Sequence, residues 1–327
     1  MDLTKKEIIK HLKAPSNELF DHANQTRKTY VGDEIHLRGL IEISNICQKN
    51  CCYCGIRASN TNCIRYKLTP NDIISLAQKA KGLGLQTIVL QGGENNLYNI
   101  EQMTYIIEEI KKLDLAITLS LGEKPKEEYE AYKKAGANRY LLRIETTDKE
   151  LYKKMHPDMD LQNRIKCLEY IKELGYETGT GCLVGLPEQS IESLANDILF
   201  FQTIDADMIG IGPFIASSNT PLVNIPNGDF KLSLAVMALS RILLKDINIP
   251  ATTAMETLHP NGQTIALQCG ANVIMPNITP QDTKIKYSIY PNKAGSLQSD
   301  EEILKNIKTK ITSINRTISQ GKGFRNH

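Results

Sequence analysis

Short apolar runs alternate with longer amphipathic ones along most of the chain, the rhythm of strands followed by helices. Strands are expected at "LRGLIEIS" from Leu37, "QTIVLQ" from Gln86, "AITLSL" from Ala116, "NRYLLRIE" from Asn138, "ETGTGCLVG" from Glu177, "DMIGIGPF" from Asp207, "PATTAM" from Pro250 and "ANVIMP" from Ala271. Helical patterns fill most of the gaps. The clearest is "LTPNDIISLAQKAKGLG", where Thr69 is placed to cap and Pro70 takes the first helical position, at which its missing N–H costs nothing. Asp72 stands in the first turn and Gly82 and Gly84 end the run. Two further helices are expected ahead of the first strand, around Lys5 to Leu12 and Ser16 to Thr29.

Eight strand candidates with intervening helices, over about 250 residues, predict an α/β chain folded as a (β/α)8 TIM barrel. The last two units carry the weakest pattern, because the stretch from His259 to Cys269 is short and poorly helical. On this reading residues 1–36 are an N-terminal helical extension, 37–318 the barrel, and 319–327, "SQGKGFRNH", a flexible, frayed tail.

Composition narrows the partners. With 41% hydrophobic and 23% charged residues among 327, and no Pro/Gly/Ser-rich linker, one continuous core is expected. A formal charge of +2, from 39 basic and 37 acidic side chains, is no footprint for a polyanion, which sets nucleic acid aside. The N-terminus "MDLTKKEIIKHLKAPSNELF" is charged, and no uninterrupted apolar run approaches the ~18 residues needed to span a bilayer. A cytoplasmic protein with no membrane contact is therefore expected. In that compartment thiols stay reduced, so clustered cysteines read as metal-binding or catalytic.

Four of the eight cysteines fall within "CQKNCCYC". Cys47, Cys51 and Cys54 form CxxxCxxC directly after the first strand, in a loop that opens at the C-terminal face of a barrel, where active sites of this fold lie. Three thiolates on one loop can hold three irons of a 4Fe-4S cube and leave the fourth iron free to bind a small molecule. A structural zinc or a four-cysteine cluster is the competing reading, with Cys52 or Cys63 as fourth ligand, although no matched distal pair of cysteines is present.

With Tyr53 as the aromatic before the last cysteine, this motif resembles the signature of the radical S-adenosylmethionine (SAM) enzymes. The resemblance implies a barrel of radical SAM type, and a cluster whose open iron chelates the amino and carboxylate groups of SAM. Reductive cleavage then yields methionine and a 5'-deoxyadenosyl radical, with Cys47, Cys51 and Cys54 as the ligands.

Further blocks between Arg38 and Asn277, among them "TIVLQGGE", "TLSLGE", "AGANRYLLRIET", "IKELGYETG", "GLPEQS", "DMIGIGPFI" and "CGANVIMPN", are similar to the HydE group of [FeFe]-hydrogenase maturases. That group implies a SAM site made by Tyr53, by Gln91, Gly92 and Gly93 of "QGGE", and by Thr118, Arg143, Glu145 and Arg164. Tyr53 would lie near the adenine, Glu145 would accept from the SAM ammonium, and Arg164 would hold its carboxylate. The two glycines are expected to let backbone approach the ligand closely. Arg143 and Glu145, two apart on a strand, are expected to share a face, where a charge pair implies a ligand or a polar interior.

The substrate implied is an iron complex bearing cysteine, carbon monoxide and cyanide, with Arg38, Met208, Thr252, Thr253, Tyr287 and Tyr290 around it and the two threonines suited to a small anion. A flavodoxin- or ferredoxin-type electron donor and other hydrogenase maturases are the implied partners.

Three departures qualify the match. Ile144 stands where the group carries a histidine between Arg143 and Glu145, Ala216 to Ser218 replace a His-Pro stretch, and no cysteine follows Cys269 to hold an auxiliary cluster. They leave open a small-molecule substrate of another kind, as in a methylornithine-synthase-like mutase or a biotin-synthase-like enzyme, the last being disfavoured without a second cysteine set. His156 and His259 are expected as ordinary polar residues, and Cys167 and Cys182 as buried small ones.

Overall fold

A computed structural model describes residues 3–325. Helices α1 (Lys5–Lys13) and α2 (Asn17–Tyr30) lead into β1 (Glu34–Ser44), α3 (Pro70–Gly82), β2 (Thr87–Gly92), α4 (Ile100–Lys111), β3 (Ala116–Ser120), α5 (Lys126–Ala135) and β4 (Arg139–Leu141). There follow α6 (Lys149–Met155), α7 (Leu161–Glu173), β5 (Glu177–Val184), α8 (Ile191–Thr203), β6 (Met208–Pro213), α9 (Phe230–Leu244), α10 (Thr253–Leu258) and α11 (Gly262–Gln268). The last elements are β7 (Val273–Ile274), α12 (Gln281–Lys284), α13 (Asp300–Ser313) and β8 (Thr317–Ile318). Helix starts follow local chemistry: Thr69 and Asp72 form a reciprocal capping box on α3, as Asn99 and Gln102 do on α4.

The ladders run β6-β5-β4-β3-β2-β1-β7, all parallel, with β8 pairing the start of β1. Single bridges Met208–Asn248 and Pro250–Val273 carry the ring from β6 to β7, so the (β/α) barrel closes there through a bridging segment rather than a ladder. The alternation sorts side chains by face. On β1, Ile41 and Ile43 are buried against the helical layer while Leu40 and Glu42 face the lumen. Each buried isoleucine of that outer layer, such as Ile88 or Ile117, contributes about 1.5–3 kcal/mol.

Local structure departs from the pattern in three places. Strand "NRYLLRIE" ends at Leu141, and its continuation bends away through Glu145, which bridges Cys182 alone. "PATTAM" is strand-like only at its first residue, since Thr252 is the N-cap of α10. The tail is not frayed where it is described. Lys322 and Gly323 present carbonyls to Thr87, Arg139, Arg38 and Asn248 at the barrel floor, and Arg325 is ion-paired to Asp205, Asp207 and Asp246. Residues 326 and 327 lie outside the described residues. Buried arginines at the floor need acceptors, and the tail backbone supplies them, a requirement the "SQGKGFRNH" composition does not display.

Candidate active site

One cavity of about 680 Å³ opens at the C-terminal ends of the strands, and Cys47, Cys51, Tyr53 and Cys54 line it together with Gly92, Gly93, Arg143, Glu145 and Arg164. The cysteine loop that follows β1 has no regular structure of its own, and two side chains stitch it. Asn45 donates to the carbonyls of Ile64 and Lys286 and accepts from the Tyr66 N–H, at 2.7 to 2.8 Å. Arg65 gathers the carbonyls of Asn45, Ile56, Arg57 and Asn60 in its fork of donors. Neither residue stands out in the sequence, because the acceptors are backbone.

Burial pushes up the thiol pKa of all three cysteines: Cys47 upward, Cys51 well upward with Cys54 and Cys47 adding to it, and Cys54 to about 12. Mutual repulsion means that three thiolates here require a cationic group among them, which the irons of a cluster would be. Cys52 points elsewhere, its sulfur lying 3.3 Å from the Lys154 carbonyl oxygen, and Cys63 sits 3.5 Å from the Asn45 amide. Among the described residues all eight cysteines are free, and no three His, Cys, Asp or Glu side chains gather around one point as a single-ion site requires.

The two glycines of "QGGE" have different reasons. A Cβ on Gly93 would overlap the Ile46 carbonyl oxygen and stand 2.8 Å from Cys47 Cβ, so this glycine makes room for the cysteine loop itself. On Gly92 the nearest atom is Ile43 Cγ1 at 3.3 Å, a lesser constraint. Both glycines also line the cavity, so these contacts with the protein add to whatever space a ligand requires there. Gln91 points its amide at the Tyr287 hydroxyl, 3.3 Å away.

Arg143 and Glu145 do come together, Nη2 to Oε2 at 3.1 Å, yet not by strand alternation. Glu145 has φ +63°, a left-handed backbone that costs a non-glycine residue about 1–2 kcal/mol and turns its carboxylate back towards the arginine. The contact lacks hydrogen-bond geometry, so Arg143 Nε and Nη2 and Glu145 Oε2 are buried with capacity to spare. Burial raises the Glu145 pKa against the opposing charges of Arg143 and Arg164. Arg164 donates to Glu123 at 2.7 Å and to the Arg143 carbonyl at 3.1 Å. Burial disfavours its charge, but Tyr152, Glu123 and Glu94 outweigh that and raise its pKa. Buried polar atoms of both signs beside three thiols suit a ligand with an ammonium and a carboxylate.

Thr252, Thr253, Tyr287 and Tyr290 line the same cavity. Three expected residues do not. Thr118 pairs with Val89 and Arg139 one layer deeper than Ser120, which faces Gln91 at the mouth and does line the cavity. Arg38 and Met208 lie at the N-terminal ends of β1 and β6, where the Arg38 guanidinium touches the Met208 sulfur and Gly323 caps it from below. Strand register decides this: the mouth is reached two to four residues later. Sequence reasoning missed Glu94, which accepts from the Glu123 N–H at 3.0 Å and pairs with Lys49 at 3.3 Å. It also missed the buried Glu42–Lys293 pair on the far wall.

Residues 41–201 match the family model of the Radical SAM superfamily. Over 307 residues the chain is 50% identical to the [FeFe] hydrogenase maturase subunit HydE of Thermotoga maritima, covering 94% of this chain and 88% of that one. It is 28% identical to the 3-methylornithine synthase of Methanosarcina acetivorans, covering 82% and 76%. Its fold superimposes on the crystal structure of methylornithine synthase with a TM-score of 0.86 at 24% identity, over 98% of this chain and 95% of the other. No helix among the described residues is long and apolar enough to cross a membrane. The chain belongs to the radical SAM superfamily, in its HydE group, and is an enzyme that works with a 4Fe-4S cluster and S-adenosylmethionine.

Proposed function

We propose that this enzyme acts in the maturation of [FeFe] hydrogenase on a small iron complex carrying cysteine, carbon monoxide and cyanide. The observation that carries the reading is the convergence, on one cavity wall, of Cys47, Cys51 and Cys54 with Gly93, Glu145 and Arg164, in a chain 50% identical to a hydrogenase maturase. On this reading Cys47, Cys51 and Cys54 hold the cluster, which when bound and reduced supplies the electron that cleaves SAM to methionine and the 5'-deoxyadenosyl radical.

The protein's own groups bind and orient. Glu145 accepts from the SAM ammonium, Arg164 and Arg143 hold the carboxylate, and Tyr53 faces the nucleoside. Thr252, Thr253, Tyr287 and Tyr290 line the chamber beyond, where the Glu42–Lys293 pair sets a polar wall for the substrate. The barrel keeps water and stray C–H bonds away from the reacting carbon. A flavodoxin- or ferredoxin-type donor delivers the electron in the cytoplasm, and other hydrogenase maturases supply and receive the complex.

The test is electron paramagnetic resonance of the anaerobically reconstituted, reduced protein with and without SAM, followed by assay of 5'-deoxyadenosine. The expected result is a 4Fe-4S signal that changes with SAM and nucleoside release stimulated by the iron complex. Nucleoside release that does not respond to the iron complex would move the enzyme to a small-molecule substrate of another kind, and no SAM response would refute the reading.

A further inference from the structure

Tyr53 is the aromatic side chain inside the CxxxCxxC motif, and it lines the cavity together with Cys51 and Cys54. Nothing in the loop's irregular backbone fixes where that ring points. Its restraint comes from a residue 103 positions away: the Tyr53 hydroxyl lies 2.8 Å from His156 Nε2. The rings meet edge to face with centroids 5.4 Å apart at 81°.

His156 is itself locked. Its Nδ1 is 3.0 Å from the Tyr152 carbonyl oxygen, which can only accept, so Nδ1 carries the proton and Nε2 is left to accept from Tyr53. Tyr152 stacks on the imidazole at 4.3 Å and 27°, and the side chain is almost wholly buried at the C-terminal end of α6. The same turn grips the loop on either side of Tyr53. The Cys52 N–H donates to the Met155 carbonyl at 2.8 Å, and the Asn50 N–H donates to the Asp158 carboxylate at 3.2 Å. Leu151, Met155, Leu186 and Phe214 pack around Tyr53 and limit its translation, while the hydrogen bond pins the far end of the ring and the edge contact sets its plane.

We infer that His156 is a positioning residue for SAM, acting through the Tyr53 ring and fixing the surface that the nucleoside meets. This rests on the proposed role of Tyr53 at the SAM site. It gives a function to a histidine whose sequence context suggested none, and it makes the turn after α6 a second support of the cluster loop, independent of Asn45 and Arg65.

Equilibrium dialysis of SAM against the reconstituted protein tests it, with iron and sulfide content and the SAM-induced change in the paramagnetic signal measured on each sample. H156F is expected to weaken SAM binding about three- to tenfold, the worth of one hydrogen bond, with cluster content unchanged. Y53F should lose the same factor, and H156F/Y53F no more than either alone, because both remove one contact. H156Q, whose amide oxygen can still accept, should recover most of the affinity. Wild-type affinity in H156F, or a double variant that loses the product of the two factors, would overturn the inference. If H156F fails to assemble the cluster, Y53F decides: it keeps the packing, and unaltered SAM affinity there would equally overturn it. A wild-type protein that binds no SAM would instead defeat the proposed function, an outcome distinct from both.

Discussion

Adjacent glycines at 92 and 93 offer a controlled perturbation, since alanine adds the same methyl group one residue apart. At Gly93 that carbon would sit 2.8 Å from Cys47 Cβ and overlap the Ile46 carbonyl. Carbon atoms in contact prefer ~3.5–4.0 Å, so the start of the cysteine loop must retreat by about 0.7 Å or more. Both obstacles lie at or next to the backbone, and no rotamer change relieves them.

Retreat also strains the staple made by Asn95, whose amide donates to the Ile46 and Gly93 carbonyls at 2.7 Å each. Overpacking costs ~1–3 kcal/mol and one weakened hydrogen bond about 1 more, giving G93A a loss of about 2–4 kcal/mol. At Gly92 the nearest atom is a side-chain carbon 3.3 Å away, and G92A should cost under ~1 kcal/mol. Denaturant unfolding of the cluster-free proteins measures the difference, and iron content and SAM affinity after reconstitution report whether Cys47 has moved. Equal stability and equal cluster content in the two variants would refute the steric argument.

Other consequences follow from the same geometry. Burial pushes the Asp197 carboxyl up to about 7, against ~3.9 in an unfolded chain. The folded state therefore binds the extra proton between those values, and the residue's contribution to stability, full below pH ~4, is lost as pH rises through about 7, at most about 4 kcal/mol. D197N, which keeps an acceptor for the Thr147 N–H and hydroxyl, should remove that decline when denaturation midpoints are compared with wild type across pH 4 to 8; parallel curves would contradict the assignment. Ending the chain after Ile318 withdraws the Lys322 and Gly323 carbonyls from Arg139, Arg38, Asn248 and Thr87, and should lower the melting temperature by several degrees, whereas an unchanged melt would mean that water replaces them fully. C52S and C63S should retain wild-type iron after reconstitution, and C47A, C51A and C54A should each lose it; loss of iron in C63S would restore a four-cysteine site.

What local sequence determined here is whatever depends on neighbours along the chain. The capping residues Thr69 and Asp72, the two-residue alternation of β1 and the CxxxCxxC spacing are local, so the helix start, the inward and outward faces and the thiol cluster were legible, and with them the family. Depth in the barrel was not. Thr118 and Ser120 share a face, and only the register of β3 against β2 and β4 puts the first below the cavity and the second in its wall. Alternation likewise suggested that Arg143 and Glu145 meet, but the meeting depends on a left-handed turn at Glu145 held by β5.

Tertiary structure alone decided which distant groups satisfy buried donors: the tail carbonyls under Arg38 and Arg139, the backbone oxygens around Arg65, and the His156 nitrogen that receives the Tyr53 hydroxyl. A buried donor needs an acceptor from whatever element the fold brings beside it, and that choice is written in the packing of elements far apart in sequence.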